Sequence, residues 1–134
     1  MKTVTDFLVK SQVQYFSTIG IDNRPKVRPF MFMLEDSGRL YFCTGTQKKV
    51  YQEMQANPYV ELCACGENHS WMRLSGRATF SDDRGIKAKI LEGNGLVKSI
   101  YQTPDNPAFA VFYLEEAEAT IADFSGAATK LIRL

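Results

Sequence analysis

The stretch Trp71–Phe80 (WMRLSGRATF) gives the clearest strand signal in the chain. Met72, Leu74, Ala78 and Phe80 fall on one side of an extended strand, and polar or mixed residues fall on the other. This alternation predicts a strand with one buried face. The only tryptophan shares the second face with two arginines, which favours a subunit interface or a binding cleft over a fully buried core.

Further strands are predicted on both sides of this stretch. They are Gln14–Gly20, Lys26–Leu34, Arg39–Thr44, Tyr59–Cys65, Phe109–Leu114, Ala117–Phe124 and Lys130–Leu134. Helices are predicted at Thr3–Ser11, Gln47–Ala56 and Asp82–Glu92. The turns between the first strands are too short for βαβ crossovers, so an antiparallel arrangement is expected. About seven strands in one chain predict a closed antiparallel barrel, which would leave no exposed edge.

Composition restricts the classes of protein to consider. The chain has 134 residues, 45% of them hydrophobic, which suits a single packed domain. A formal charge of +1 argues against a dedicated nucleic-acid binder. No signal peptide or membrane-spanning apolar run is apparent, so a cytoplasmic protein without a membrane partner is expected. The chain has three cysteines, Cys43, Cys63 and Cys65, and so low and odd a number does not suit a disulfide scaffold. Cys63 and Cys65 lie close together, but no second pair of ligands is present to complete a zinc site with them.

The segment Thr44–Lys49 (TGTQKK) is the first candidate binding site. A predicted strand enters a glycine-containing turn and then a helix, whose first N–H groups attract anions. Lys48 and Lys49 in the first turn are unfavourable with the helix dipole unless an anion lies there, and Thr44 and Thr46 add hydroxyl donors. The alternatives are a phosphate site and an ordinary solvated helix end. The spacing of a nucleotide P-loop is absent.

The segment Arg24–Phe30 (RPKVRPF) is the second candidate. Pro29 cannot donate to a strand ladder, so it marks an edge, a bulge or a break. Backbone freed in this way could bind a planar polar ligand, or the proline could simply protect an edge. Elsewhere the chain lacks the glycine-rich dinucleotide motif and the nucleophile elbow, and its one histidine lies in a polar turn. Any chemistry is therefore expected to come from a cofactor.

The order of these segments resembles a known family. The basic strand is followed by Asp36–Thr44, Lys48–Val50, Asn57–Leu62 and Trp71–Ala78, and this succession is similar to the pyridoxamine 5′-phosphate oxidase-like family of FMN-binding split barrels. That family includes general-stress and nitroimidazole-reductase-like flavoproteins. The resemblance implies a mainly β fold, a six- to seven-stranded antiparallel split β-barrel with Greek-key character and two or three peripheral helices. Residues 1–134 would form a single FMN-binding domain.

The resemblance also implies a homodimer with FMN sites at the subunit interface. Lys48 and Lys49 match the basic pair that binds the FMN phosphate, with Thr44 and Thr46 beside them. The other implied contacts are the strand along the flavin ring (Val27, Arg28, Pro29, Phe30), the segment beside the ribityl chain (Phe42, Cys43) and the strand that completes the pocket, often from the other subunit (Trp71, Arg73). No catalytic side chain and no metal ligand is implied.

The implied function is an NAD(P)H-dependent flavoprotein oxidoreductase acting on a small acceptor. Genuine oxidation of vitamin B6 is not expected, because the C-terminal residues offer only Lys130 and Arg133 for a substrate phosphate. The alternatives are a non-catalytic flavin or haem binder or sensor of the same fold, and a plain interaction domain. Related barrels use FMN, a deazaflavin or haem.

Overall fold

The computed structural model describes all of residues 1–134 as four helices and eight strands. The helices are α1 (Lys2–Ser11), α2 (Lys49–Ala56), α3 (Arg84–Gly93) and α4 (Gly95–Tyr101). The strands are β1 (Gln14–Ile19), β2 (Pro25–Phe30), β3 (Leu34–Asp36), β4 (Arg39–Gly45), β5 (Tyr59–Cys65), β6 (Trp71–Ser81), β7 (Phe109–Ala122) and β8 (Lys130–Arg133). None of the helices combines the length and the apolar character needed to cross a bilayer.

The strands form one antiparallel sheet in the order β2-β1-β5-β6-β7-β4-β3, with β8 paired to β7. The predicted mainly β, split-barrel class is confirmed. The closed barrel expected from the residues alone is wrong, because β2 and β3 end the sheet and do not pair with each other. The structure has eight strands, as many as the strand ranges predicted above and one more than the six to seven of the split-barrel prediction, and it has one helix more than the predicted two or three.

The predicted Lys26–Leu34 strand is divided between β2 and β3. The Phe32 N–H donates to the side-chain Oε1 of Gln14 at 2.7 Å, instead of continuing the ladder with β1. The Met33 N–H then donates to the Tyr41 carbonyl at 3.0 Å, and pairing with β4 follows. Gln14 is fully buried. A single buried amide side chain therefore ends β2 and lets the chain join the other end of the sheet.

The extra helix follows α3 directly. The sequence Gly93–Gly95 predicts a helix stop, and α3 does end at Gly93. Asn94, however, accepts a hydrogen bond from the Val97 N–H at 3.0 Å and caps α4. The same asparagine that interrupts one helix therefore begins the next.

Strand β7 is continuous where two strands were predicted. Its register against β6 shifts between Ser75 and Arg77, and Glu116 adopts a positive φ of 54°. One extra residue in β7 at this point is a β-bulge, which bends the strand without ending it. Glu115 and Glu116 separate the two predicted strands in the sequence, but in the structure both lie within β7.

Two apolar clusters lie on opposite faces of β4 and β7. Phe16, Phe42 and Phe112 belong to the larger cluster, inside the curved sheet. The smaller cluster includes Val111 and packs α3 and α4 against the outside of these strands. The alternation of β7 supplies both clusters, as its sequence predicts. Helix α4 is thereby held beside the end of β4 and the start of α2.

Candidate functional site

A cleft of about 390 Å³ lies where β2, the end of β4, the start of α2 and helix α4 meet. This volume is within the usual range for small-molecule sites. Its lining consists of Val13, Arg28, Pro29, Phe30, Met31, Met33, Cys43, Thr44, Lys48, Val50, Leu96, Val97, Ile100 and Tyr101. The fold thus brings together six residues that the sequence predicts as a site: Arg28, Pro29, Phe30, Cys43, Thr44 and Lys48.

The β2 strand presents a free backbone edge. The Gly20 N–H donates to the Arg24 carbonyl at 2.7 Å, which fixes the hydrogen-bonded positions of the β1–β2 pair. By alternation, Val27 and Pro29 lie at non-hydrogen-bonded positions and direct their backbone polar groups away from β1. Pro29 has no N–H, so Val27 provides the N–H donor at this stretch of the edge. Backbone carbonyl oxygens lie on both sides of that donor and are available as acceptors. A planar ligand with donors and acceptors along one side could bind here.

A buried ion pair fixes the arginine of the cleft. Arg28 Nη2 lies 2.7 Å from Glu53 Oε1 of α2, and the side chains are 23% and 7% exposed. Arg28 Nη1 donates to Thr18 Oγ1 at 2.7 Å and to the Phe16 carbonyl at 3.2 Å. The Thr18 hydroxyl donates in turn to Glu53 Oε1 at 2.8 Å. The network ties β1 and β2 to α2 and neutralises the arginine.

Neither Thr18 nor Glu53 is predicted as a site residue from the sequence. As a charged residue of α2, Glu53 would be expected to face solvent, yet it is only 5% exposed. A signal was available, because Glu53 follows the buried Val50 by three residues and therefore lies on the same side of the helix. A carboxylate at such a position requires a cationic partner, and Arg28 is that partner.

The junction of β4 and α2 has the features of an anion site. Thr44 is 3% exposed, and its hydroxyl oxygen is buried with no hydrogen-bond partner. Lys48 occupies the N-cap position of α2 in an extended conformation, without a side-chain cap. The first turn of the helix contains no acidic residue. An unpartnered hydroxyl, an uncapped helix start and a lysine in one cleft fit a phosphate group.

Comparison with known proteins identifies the family of this chain. A family model described as pyridoxamine 5′-phosphate oxidase matches residues 1–121. The chain belongs to this family. The match to the pyridoxamine 5′-phosphate oxidase family model thus includes all four helices and, apart from the last residue of β7, seven of the eight strands. A search of curated proteins found no match.

Three solved structures illustrate the range of similar proteins. A NimC/NimA-family protein from Clostridium acetobutylicum has a TM-score of 0.90 and 34% identity, covering 100% of this chain and 93% of that chain. An FMN-binding protein related to pyridoxamine 5′-phosphate oxidase, from Nostoc punctiforme, has a TM-score of 0.71 and 18% identity, covering 97% and 87%. A heme-binding protein from Mycobacterium smegmatis has a TM-score of 0.74 and 14% identity, covering 95% and 55%. The last two share only the fold at these identities.

Four other residues that the sequence predicts as part of the site lie outside the cleft lining. Val27 is 67% exposed, although its backbone faces the free edge of β2. Phe42 is fully buried in the core, with its ring stacked on Phe112. Thr46 lines a second cleft, of about 460 Å³, and Lys49 is exposed in the first turn of α2. Of these four, Lys49 and the Val27 backbone remain close in the chain to the cleft residues.

Trp71 and Arg73 lie on the outer face of β6. Arg73 Nη2 is 2.8 Å from Glu61 Oε2 of the adjacent strand, and hydrogen bonding to Glu61 raises the pKa of the arginine. Trp71 contacts Phe124, with ring centroids 5.1 Å apart. Within one chain, neither residue lines the cleft of Arg28 and Lys48. Their assignment to a cofactor pocket stays a prediction that requires a second subunit.

The three cysteines are free, and neither Cys43 nor Cys63 is activated as a nucleophile. Burial raises the pKa of the Cys43 thiol to about 12, although the nearby Lys48 acts in the opposite direction. Burial also raises the pKa of Cys63, with smaller contributions from Cys65 and Glu61. A raised pKa keeps both thiols protonated near neutral pH. No group of three or more His, Cys, Asp or Glu side chains is arranged to hold a metal ion.

The raised pKa of Cys43 predicts a measurable alkaline destabilisation. Above pH 9 the thiol ionises in the unfolded chain, while in the folded chain it stays protonated until about pH 12. The unfolded state then binds fewer protons, so stability falls as pH rises through this window. We expect the free energy of unfolding to fall by about 1 kcal/mol per pH unit from this group. Urea unfolding of wild type and Cys43→Ala at pH 8, 9.5 and 10.5, under reducing conditions, measures the difference. Parallel pH curves for the two proteins would contradict the prediction.

Proposed function

We propose that the protein is an FMN-binding flavoprotein that takes electrons from NAD(P)H and passes them to a small acceptor. The observation that carries the proposal is the anion site at the β4–α2 junction, where the unpartnered Thr44 hydroxyl and Lys48 line the same cleft as β2. Family membership and an FMN-binding structural relative support it. FMN, when bound, would supply the hydride and electron chemistry.

The residues of the cleft would divide the binding of FMN between them. Lys48, Lys49 and the Thr44 hydroxyl would bind the phosphate at the start of α2. The free edge of β2, with the Val27 N–H and the Pro29 carbonyl, would hydrogen-bond the polar side of the flavin ring. Cys43 would lie beside the ribityl chain as a neutral thiol. The chain would thus position the cofactor and exclude water, and would contribute no general acid or base from the lining.

A homodimer is part of this proposal. The outer face of the sheet carries exposed apolar side chains, among them Tyr15 at 53%, Val27 at 67% and Tyr59 at 59%. Exposed apolar groups gathered on one sheet face favour a subunit interface. A second copy docked there would cover Trp71 and Arg73 of β6, and could bring them to the cofactor site. Analytical ultracentrifugation should give about 30 kDa, twice the chain mass of 15.1 kDa.

Disrupting that face should separate the subunits. We expect Tyr15→Glu with Val27→Glu to give a monomer, because each places a charge among apolar side chains that would be desolvated in the dimer. The matched control is Val9→Glu with Ile21→Glu, at exposed apolar residues in α1 and in the turn before β2. Sedimentation of both double variants measures the result. A wild-type monomer, or a Tyr15/Val27 variant that stays dimeric, would contradict the proposed interface.

The alternative is a binding protein without turnover. A heme-binding relative shares the fold. In this chain no histidine lines the cleft, and His69 lies in a separate open cleft with Cys63 and Cys65. The hydroxyl, lysine and helix N–H donors at the β4–α2 junction suit a phosphate group better than a haem iron, so we favour FMN.

Anaerobic mixing of the FMN-loaded protein with NADH or NADPH tests the enzymatic part. We expect the 450 nm flavin band to bleach with a rate that saturates in nucleotide, and to return when an acceptor is added. Free FMN at the same concentration is the control. Bound flavin that NADH and NADPH leave oxidised would instead identify a flavin carrier or sensor.

A further inference from the structure

Exposed apolar side chains surround the opening of the cleft. Leu96 and Ile100, four residues apart on α4, are 62% and 58% exposed. Met31 and Val13 are 40% and 39% exposed and line the same cleft. Single exposed apolar residues are ordinary, but four at one opening form a patch of the kind that binds ligands. We call these four residues the apolar rim.

The cleft lining that one chain contributes has no free charge to offer a substrate, and Arg73, which a second subunit could bring, is paired with Glu61 at 2.8 Å. Arg28 and Lys48 are the only charged side chains in that lining. Arg28 is already paired with the buried Glu53 at 2.7 Å, and Lys48 is the residue assigned above to the phosphate of FMN. No carboxylate or histidine is present, and the raised pKa of Cys43 leaves its thiol neutral. A charged substrate group would lose its hydration here without gaining a partner.

We propose that the electron acceptor is an uncharged, planar, apolar molecule of the quinone class, bound against the apolar rim. The inference rests on the proposed function, because it assumes that reduced FMN occupies the cleft. The quinone gains two electrons and two protons and becomes a hydroquinone. Bound FMN, once reduced, would supply a hydride, which carries both electrons and one proton, and water would supply the second proton, so the lining need not contribute an acidic side chain.

Anaerobic reoxidation of photoreduced, FMN-loaded protein tests the selectivity. The probes are a neutral methyl-naphthoquinone and its sulfonate, and the reoxidation rates are corrected for those of free reduced FMN. We expect the neutral quinone to react about tenfold faster per unit concentration than the sulfonate, because the sulfonate must be desolvated at the rim. Equal rates, or a faster sulfonate, would overturn the inference and leave the proposed function standing. Failure to bind FMN would overturn both.

Leu96→Lys with Ile100→Lys tests the rim itself. We expect the reaction with the neutral quinone to slow by about tenfold and the preference over the sulfonate to disappear, with no loss of FMN affinity and no change of oligomeric state. The matched control, Val9→Lys with Ile21→Lys, changes two other exposed apolar residues and should keep the wild-type preference. An unchanged preference in the rim variant would overturn the inference. So would loss of FMN or dissociation of subunits, because the rim would then be a cofactor or subunit contact.

Discussion

Replacing Lys48 and Lys49 with glutamate should weaken FMN binding at least about 100-fold, which is about 2.7 kcal/mol. Charge-assisted hydrogen bonds to a phosphate contribute about 1.5–3 kcal/mol each, and the reversal also repels the dianion. The fold should survive, because acidic residues at a helix N-terminus are favourable with the dipole. Titration of each protein with FMN, followed by the loss of flavin fluorescence, gives the two affinities.

The control for this variant must carry the same change in net charge. Lys10→Glu with Lys130→Glu does so at two exposed residues outside the cleft lining. We expect the control to bind FMN within about twofold of wild type at 0.15 M salt, where distant charges are screened. A similar loss in both variants would show that general electrostatics dominates, and would contradict the anion site at the β4–α2 junction.

The second large effect is on stability. Arg28→Met should lower the free energy of unfolding by about 3 kcal/mol, because it leaves the buried Glu53 without its cationic partner. The double variant Arg28→Met with Glu53→Met should recover most of this loss, since two apolar side chains then replace two charges. Urea unfolding followed by circular dichroism measures wild type, Arg28→Met, Glu53→Met and the double variant, and the four free energies of unfolding give the coupling.

An exposed ion pair in the same chain is the control. Arg84 and Asp105 form a bidentate pair, with hydrogen bonds of 3.0 and 3.1 Å, and their side chains are 68% and 69% exposed. Arg84→Met should destabilise the fold far less than Arg28→Met, because solvent screens an exposed pair. If Arg28→Met costs no more than Arg84→Met, the network of Arg28, Thr18 and Glu53 does not hold β2 to α2.

The fold was predictable where alternation continued along a strand. Trp71–Phe80 and Tyr59–Cys65 each separate buried from exposed positions, and each forms the expected strand. The end of β2 was not predictable, because it depends on the Gln14 side chain reaching Phe32, eighteen residues away. Local patterns also failed at Asn94, which ends one helix and caps the next.

The site was predictable as a set of segments rather than as a geometry. The lysines at the start of α2 and the proline in β2 contradict local preferences, and the fold brings Lys48 and Pro29 to one cleft. The sequence could not show that Phe42 faces the core, or that Glu53 neutralises Arg28, since both depend on contacts between distant elements. Helix α4, absent from the sequence prediction, supplies Leu96 and Ile100, two of the four residues of the apolar rim.

The central claim is that this chain binds FMN in the cleft between β2, β4 and α2. Titration of the purified wild-type protein with FMN, with the flavin spectrum and fluorescence recorded together, tests it most directly. We predict a saturable change with one FMN per chain and a dissociation constant near or below about 1 µM, which is about −8 kcal/mol. A flavin spectrum that stays that of free FMN up to about 50 µM protein would contradict the claim.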